Sequence, residues 1–292
     1  METGKLKCKQ KHRFIDKEMI SQLVLMLHAQ DNESIEAALF ALLNLAFGSE
    51  RNKVRIAKCG AIPALLEILQ WRKESLVELA VATLLVLSSC TANKPEIGSS
   101  GAVQMLFQLL DSQFAIGQCI SHQAKLDIIS TLHNLSTSPQ TLIRSIVISD
   151  CLIPLIQLIC AFDKSSELVE KAIGLLESLV SASDIVLNQV SEMGGVIGML
   201  VEAVEEGTGP CKEHAAGVLV LICKRSKERY RVMILSEGAM PGILQLSVHG
   251  TTRARDNAKA LLLLLRDTSK SNHSRNLLLE EMMREIDRVG TS

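Results

Sequence analysis

Residues 35–46 read Ile-Glu-Ala-Ala-Leu-Phe-Ala-Leu-Leu-Asn-Leu-Ala, an apolar run with the period of a buried helix face. Similar runs return over residues 77–88, 125–136, 168–180, 213–223 and 256–266. If Asn44 marks a reference position, its equivalents are Val86, Asn134, Ser178, Leu221 and Leu264, at spacings of 42, 48, 44, 43 and 43 residues. This even spacing indicates six copies of one module, and a repeat of this length fixes the architecture.

A second landmark, a turn followed by small or apolar residues, lies between these runs, and four of its five copies contain glycine. Its copies are Cys59 to Pro63, Ser100 to Val103, Asp150 to Pro154, Met193 to Val196 and Glu237 to Pro241. Glycine accommodates the positive φ that ends a helix, and proline fits the first turn of the next helix. Each repeat is therefore predicted to be a short helix, a turn, a second helix, a polar loop and a long third helix. Stacked repeats bury the face that one repeat leaves open, which predicts an all-α solenoid with a concave surface lined by third helices.

Composition excludes several classes of protein. The 292 residues include 31 Lys and Arg against 32 Asp and Glu, a net charge of −1, so we expect neither direct nucleic-acid binding nor an acidic disordered chain. Hydrophobic residues make up 47% and aromatic residues only 3%, as is typical of stacked helices. The eight cysteines form no CxxC pair, so we interpret them as small buried hydrophobes in a reducing compartment.

The sequence contains no phosphate-binding loop, nucleophile elbow or HExxH motif, so we expect no enzyme, no cofactor and no metal site. The apolar stretch 143–162 carries Arg144, Asp150 and Pro154, which favours a pair of core helices over a membrane span. We expect a monomer.

The turn Gly60-Ala61-Ile62-Pro63, followed by a third helix of the form Glu-x-Ala-x-x-x-Leu-x-Asn-Leu-Ala, resembles the armadillo repeat. The resemblance implies a right-handed superhelix of about six armadillo repeats over residues 15–266. Residues 1–14 would be a polar, disordered N-terminal segment, and residues 267–292 a C-terminal capping helix or tail. Residues 212–223 and 250–266 further resemble the last repeats of plant armadillo proteins, including the plant U-box ubiquitin ligases.

In that ligase family a U-box with a Cys-Pro-Ile motif precedes the repeats. Only a short polar stretch precedes Ile15, so we expect the ligase module to be absent and do not carry ubiquitin transfer over. The resemblance implies a non-catalytic scaffold in the cytoplasm, the nucleus or both, acting beside ubiquitin signalling. Two alternatives are a truncated ligase that takes part in ubiquitination and a nuclear cargo adaptor.

Armadillo proteins that hold extended peptides use the third-helix asparagine to bind the ligand main chain, and an aromatic residue one turn earlier to pack its side chains. The matching positions are Phe40 with Asn44, Ser130 with Asn134, and Ser178 in the fourth repeat. The resemblance therefore implies a groove for a protein or an extended peptide. The alternative is that these amides bond neighbouring loops inside the stack.

Charge is unevenly distributed along the chain. Residues 140–206 carry a net charge of −7 and residues 207–275 a net charge of +7. We expect a basic patch for an acidic or phosphorylated partner, formed by Lys224, Arg225, Lys227, Arg229, Arg231, Arg253, Arg255 and Lys259. The alternative is that these cations only complement helix C-termini.

Five of the six repeats carry an acid eight residues before the reference position: Glu36, Glu78, Glu170, Glu213 and Asp256. We interpret these acids as first-turn charges that stabilise their own helices. The long loop from Gln113 to Ala124 is predicted to be a packed flap, with a partner contact as the alternative. The apolar stripe from Leu277 to Val289 predicts a cap over the last repeat, with a partner helix as the alternative.

Overall fold

The structure is a computed structural model, and it describes residues 18–71, 73–111, 120–137, 146 and 151–266. The predicted N-terminal segment 1–14, most of the predicted flap and the predicted C-terminal cap lie outside the described residues.

The described residues form α-helices, one short 3₁₀ turn over Thr91–Asn93 and no strand. The helices before the long loop are α1 over 18–26, α2 Asn32–Ala46, α3 Glu50–Lys58, α4 Ala61–Leu69, α5 Glu74–Ser88, α6 Lys94–Ser99 and α7 Ala102–Leu110. Those after it are α8 His122–Ser136, α9 Leu152–Ala161, α10 Glu167–Ala182, α11 Asp184–Glu192, α12 Val196–Glu206, α13 Gly209–Arg225, α14 Lys227–Ser236, α15 Met240–His249 and α16 Thr252–Leu265. The six predicted third helices are confirmed as α2, α5, α8, α10, α13 and α16.

The chain divides into two compact units, Met1–Pro154 and Leu155–Ser292, called unit 1 and unit 2 below. In unit 1 the third helix α2 packs against α5, and α5 packs against α8. In unit 2, α10 packs against α13 and α13 against α16. Each unit is therefore a series of repeats in which successive third helices lie side by side.

The predicted glycine turns adopt the backbone conformation that glycine favours. Gly60 between α3 and α4 has φ 88°, and Gly101 between α6 and α7 has φ 89°. Both are left-handed, where a β-carbon is disfavoured. The sharp change of direction that starts each second helix is thus encoded locally.

Aliphatic side chains fill the space between the helices. Leu39 and Leu42 of α2 and Leu84 of α5 have no exposed surface. In unit 2, Leu176 and Leu219 are equally buried. Burying one such side chain stabilises the fold by about 1.5–3 kcal/mol, which offsets the cost of ordering the backbone.

Among the described residues no single helix is long and apolar enough to cross a membrane, whereas one bent pair, Glu74–Ser88 with Thr91–Ser99, passes the same test of length and composition.

Candidate protein-binding face

The third helices of unit 1 share one accessible face. The groove face is formed by the reference residues and the residues one turn before them: Phe40, Asn44, Ala82, Val86, Ser130 and Asn134. Phe40 and Asn44 are exposed, and the other four are half-buried. Since α2, α5 and α8 pack in succession, we expect the six side chains to lie on neighbouring helices along one face.

Helix α2 positions Phe40 and Asn44 by burying its opposite side. The helix begins where Asp31 accepts a hydrogen bond from the Ser34 amide at 2.7 Å. Leu39 and Leu42 face the core, so Phe40 and Asn44 point away from it, about 6 Å apart along the helix axis. The Phe40 side chain is left 49% exposed, which is a large apolar area for a surface position.

The side-chain amide of Asn44 makes no hydrogen bond to any other residue within the described ranges. A primary amide carries two N–H donors and one carbonyl acceptor, the same groups that a peptide main chain presents. The residue therefore offers a matched donor and acceptor beside the exposed Phe40 ring. Its assignment to a binding groove stays a prediction.

The second predicted amide is used inside the stack. Asn134 Nδ2 donates to Ser88 Oγ of α5 at 3.0 Å, while the Ser88 hydroxyl donates to the Leu85 carbonyl at 2.8 Å. The Asn134 side chain therefore connects α8 to α5 by a hydrogen bond. For Asn134 this is the alternative interpretation, in which the amide bonds inside the stack. Ser130, one turn earlier, is half-buried on the same face.

Ser178, the predicted groove residue of α10, turns its hydroxyl toward its own helix. Its Oγ donates to the Gly174 carbonyl at 3.0 Å, so this donor is occupied. The positions one turn before the references in α10 and α13 are the buried glycines Gly174 and Gly217. Unit 2 therefore has no aromatic residue where α2 carries Phe40.

Unit 2 has a polar cluster where unit 1 has an aromatic ring. It consists of Glu177, His214, Arg253 and Glu213, and we call it the Glu177 cluster. Glu177 of α10 bonds His214 Nδ1 of α13 at 2.7 Å and pairs with Arg253 of α16. The other guanidinium nitrogen of Arg253 donates to Glu213 at 3.0 Å. One carboxylate thus joins three successive third helices, and the cluster was not foreseen from the sequence.

The ionisation of Glu177 follows from these contacts. Burial raises the pKa of its carboxyl group, but hydrogen bonds from His214 and Arg253 oppose burial and prevail, so the pKa lies below its usual value. The carboxylate is therefore charged at neutral pH in a site where an unpaired charge would be costly.

The structure places Arg253 apart from Lys224 and Arg225 of the predicted basic patch. Lys224 and Arg225 end α13, and Arg229 on α14 lies 5.2 Å from the centre of the Tyr230 ring. Arg253 contacts Glu213 near the start of α13, about 16 Å along that helix from Lys224.

The expectation that Arg253 lies close to Lys224 is therefore wrong. Lys224 and Arg225 end α13, Lys227, Arg229 and Arg231 lie on α14, and Arg253, Arg255 and Lys259 lie on α16. The guanidinium of Arg253 is held by two carboxylates. Binding of a partner by the other cations stays a prediction.

Three of the five recurring acids make a contact to the next repeat that was not predicted. Glu78 accepts from the Ser121 amide at 2.7 Å, and Glu170 and Glu213 each accept from the hydroxyl of Thr208 and Thr251 respectively. Ser121, Thr208 and Thr251 are the residues that cap the next third helices. Each of these acids therefore joins its helix to the start of the next one.

The capping residues had a signal in the sequence. Asp31, Ser121, Thr208 and Thr251 each lie thirteen residues before a reference position. Side chains of these types cap helices by accepting from a backbone amide. His214, by contrast, has no counterpart in the other repeats, so its pairing had no sequence signal.

The described residues hold no group of three or more His, Cys, Asp or Glu side chains arranged to bind a metal ion. The groove face consists instead of one aromatic ring, two amides, one hydroxyl group and two aliphatic side chains.

These repeats define the chain as an armadillo-repeat solenoid. Computationally designed armadillo repeat proteins for modular peptide recognition superimpose with a TM-score of 0.70 at 21% identity, covering 85% of this chain and 100% of the designed one. A designed armadillo repeat protein in complex with the peptide (KR)4 gives a TM-score of 0.68 at 20% identity, over 85% and 99% of the two chains.

At the level of sequence, the chain is similar to U-box domain-containing protein 45 of Arabidopsis thaliana. The two are 30% identical over 227 residues, which is 78% of this chain and 28% of that relative. The chain thus matches only about a quarter of the relative's length. No family model matches the chain.

Proposed function

We propose that the chain is a non-catalytic protein-binding scaffold whose groove face in unit 1 holds an extended segment of a partner. The observation that carries this proposal is Asn44, an exposed amide without an internal hydrogen bond, one turn from the exposed ring of Phe40. A helix face fixed by a buried core is preorganised, so little ordering entropy is lost when a ligand binds.

The designed relatives support a peptide as the ligand, because peptide recognition is stated for one of them and the peptide (KR)4 is bound by another. Those proteins share the fold at low identity, so the identity of the ligand does not transfer with it. The residues of this chain decide what is bound.

The test is selection from a displayed library of random peptides against the full chain, followed by titration of each selected peptide against two variants, Phe40→Ala and Asn44→Ala. We expect both variants to weaken binding by about tenfold or more, which corresponds to ~1.4 kcal/mol. Ile185→Ala is the matched control, because Ile185 is exposed on α11, which contributes no residue to the groove face. Equal weakening by the control would refute the assignment of the face.

A second contact is proposed at the basic junction of Lys224, Arg225, Lys227 and Arg229, for an acidic or phosphorylated part of the partner. Lys224, Arg225 and Arg229 are exposed, so their charges act through solvent and mainly raise the association rate. Raising the salt concentration should therefore weaken binding through this junction.

The similarity to a U-box protein supports a further proposal, that the scaffold acts beside ubiquitin signalling in the cytoplasm or the nucleus. In that role the chain presents a partner and another protein transfers ubiquitin. An autoubiquitination assay with the purified chain should give no product unless a separate ligase is added. Product from the chain alone would favour the ligase alternative.

A further inference from the structure

Helix α14 exposes two neighbouring apolar side chains beside the basic junction. Val232 is 61% exposed and Met233 is 38% exposed, while α14 packs against α12, α13 and α16. The buried side of the helix carries Tyr230 and Ile234. Val232 and Met233 therefore lie on the side of α14 that is turned away from the core.

The buried Tyr230 fixes the orientation of this helix. Its hydroxyl donates to Ser191 Oγ of α11 at 2.9 Å, and the guanidinium of Arg229 lies 5.2 Å from the centre of its ring. Val232 and Met233 follow Arg229 by three and four residues, so the three side chains share one exposed face of α14. A cation and two apolar groups are thus held side by side on a helix that the core orients.

The charges along this part of the chain are mainly positive. Residues 224–237 contain two acids, Glu228 and Glu237. Glu237 is directed toward α12, because a β-carbon at Gly198 would stand 2.9 Å from its Oε2 atom. Glu228 is exposed one turn before Val232 and keeps a negative charge on the same face. The same residues contain five cations, Lys224, Arg225, Lys227, Arg229 and Arg231, so the net charge is +3.

The first helix of the preceding repeat, α11, lacks this combination. It exposes Ile185, but residues 181–192 contain no Lys or Arg and two acids, Asp184 and Glu192. An exposed apolar side chain beside several cations is therefore not a general feature of first helices in this chain.

An acidic partner with apolar side chains gains from both parts of this surface. Its carboxylates are attracted by the exposed cations, an effect that acts mainly on the association rate and is screened by salt. An apolar side chain that covers Val232 and Met233 removes hydrocarbon from water, and salt does not screen this gain. Arg229 and Val232 are about 4.5 Å apart along the helix axis, so one segment can contact both.

We propose that Val232 and Met233, together with the basic junction, form a docking surface for an acidic segment of a partner protein whose apolar side chains lie within about one helical turn of its carboxylates. The inference rests on the proposed contact between the basic junction and an acidic partner, and it specifies which acidic segments bind. The surface belongs to a first helix, whereas the groove face of unit 1 belongs to third helices.

Two fluorescent peptides of equal length and charge test the proposal. One consists of glutamate and serine, and in the other two serines one helical turn apart are replaced by leucine. Binding of each peptide to the full chain is measured by fluorescence polarisation at low salt. The leucine peptide should bind about fivefold or more tightly than the serine peptide.

Variants then assign the preference to its residues. Val232→Ser combined with Met233→Ser should abolish the preference for leucine and leave the affinity for the serine peptide unchanged. Ile185→Ser is the matched control, because it removes an exposed apolar side chain from the neighbouring first helix, and it should keep the preference. Glu228→Gln removes a negative charge from the same face and should strengthen binding of both peptides.

Each contrary result identifies what fails. Equal affinities of the two peptides for the wild type, or a preference that survives the loss of Val232 and Met233, would overturn the docking surface and leave the basic contact standing. Failure of both peptides to bind at low salt would overturn the basic contact and the docking surface together.

The melting temperature and the sedimentation of the Val232 and Met233 variant reveal other occupants of the surface. Both properties should equal those of the wild type. A lower melting temperature or a smaller sedimenting species, with the preference for leucine intact, would also overturn the proposal, because the pair would then be covered by the chain itself or by a second copy.

Discussion

Glu177 of α10 lies directly over the backbone of Gly217 of α13. A β-carbon at Gly217 would overlap the carboxylate oxygen and stand 2.9 Å from Cδ of Glu177. The close approach lets Glu177 reach both His214 and Arg253, so the glycine is a requirement of the ion pairs rather than of backbone conformation. The same position one repeat earlier, Gly174, lies under His214.

Gly217→Ala should therefore destabilise unit 2, although alanine favours a helix over glycine by about 0.5–1 kcal/mol. The displaced carboxylate loses its partners, and we expect a net loss of about 1–3 kcal/mol in the free energy of unfolding, measured with urea. Gly209→Ala is the matched control, because an added β-carbon there meets no atom within 4 Å. Equal stability of both variants would contradict the close approach.

The lowered pKa of Glu177 predicts a pH dependence. A carboxyl group whose pKa is lower in the folded state stabilises the fold at a pH above its pKa in the unfolded chain, which is near 4.5. That stabilisation is lost as the pH falls through the lower pKa of the folded state. Glu177→Gln should be less stable than the wild type by about 1–3 kcal/mol near neutral pH. The difference should shrink on acidification below the unfolded value.

Glu206→Gln is the control for that titration, since Glu206 is exposed at the end of α12. It should change the free energy of unfolding near neutral pH by less than about 0.5 kcal/mol, as is usual for an exposed position. A Glu177→Gln variant that keeps a constant deficit down to strongly acidic pH would show that ionisation of Glu177 is not the source of the stability.

Thr208 caps α13 and also donates to Glu170 of α10, so its hydroxyl serves two helices. Thr208→Val keeps the shape and removes both contacts, and we expect a loss of about 1–2 kcal/mol in the free energy of unfolding. Thr208→Ser should restore most of it. If the serine and valine variants unfold at the same urea concentration, the hydroxyl does not join the repeats.

The two asparagines of unit 1 should separate into different roles. Asn134→Ala removes a donor from Ser88 and should cost about 0.5–1.5 kcal/mol of stability. Asn44→Ala removes an exposed side chain without an internal bond and should change stability by less than about 0.5 kcal/mol. Thermal melting of both variants measures this, and the reverse order of stabilities would contradict the distinction.

Arg253 should contribute to stability, whereas the cations at the junction of α13 and α14 should contribute to binding. Arg253→Gln breaks the pairs with Glu177 and Glu213 and should lower the melting temperature. Arg225→Gln combined with Arg229→Gln should leave the melting temperature unchanged but weaken binding of a fluorescent oligo-glutamate peptide at low salt. If oligo-glutamate binding were lost only in the Arg253→Gln variant, Arg253 would be a binding residue, which would contradict the prediction.

The repeats were predictable because each is encoded locally. The apolar period of residues 35–46 gave the face that α2 buries, and the glycine at position 60 marked the left-handed turn before α4. Both signals depend on a few neighbouring residues, and their recurrence at similar spacings leaves one architecture that buries all the copies.

The contacts between repeats were not predictable, because they depend on the exact register of neighbouring helices. Glu177, His214 and Arg253 stand one, seven and eleven residues before their respective references, so no single repeat position marks the cluster. Asn44 and Asn134 occupy the same position, yet within the described residues only Asn134 finds an acceptor on a neighbouring third helix, Ser88 of α5. For the same reason Arg253 was wrongly grouped with Lys224.

Titration of one peptide selected from the displayed library against the wild type and against the Phe40→Ala, Asn44→Ala and Ile185→Ala variants tests the central claim most directly. All four proteins should melt at nearly the same temperature, while the two groove-face variants should bind about tenfold or more weakly and Ile185→Ala should bind like the wild type. Undiminished binding to folded Phe40→Ala and Asn44→Ala would place the ligand elsewhere and contradict the account.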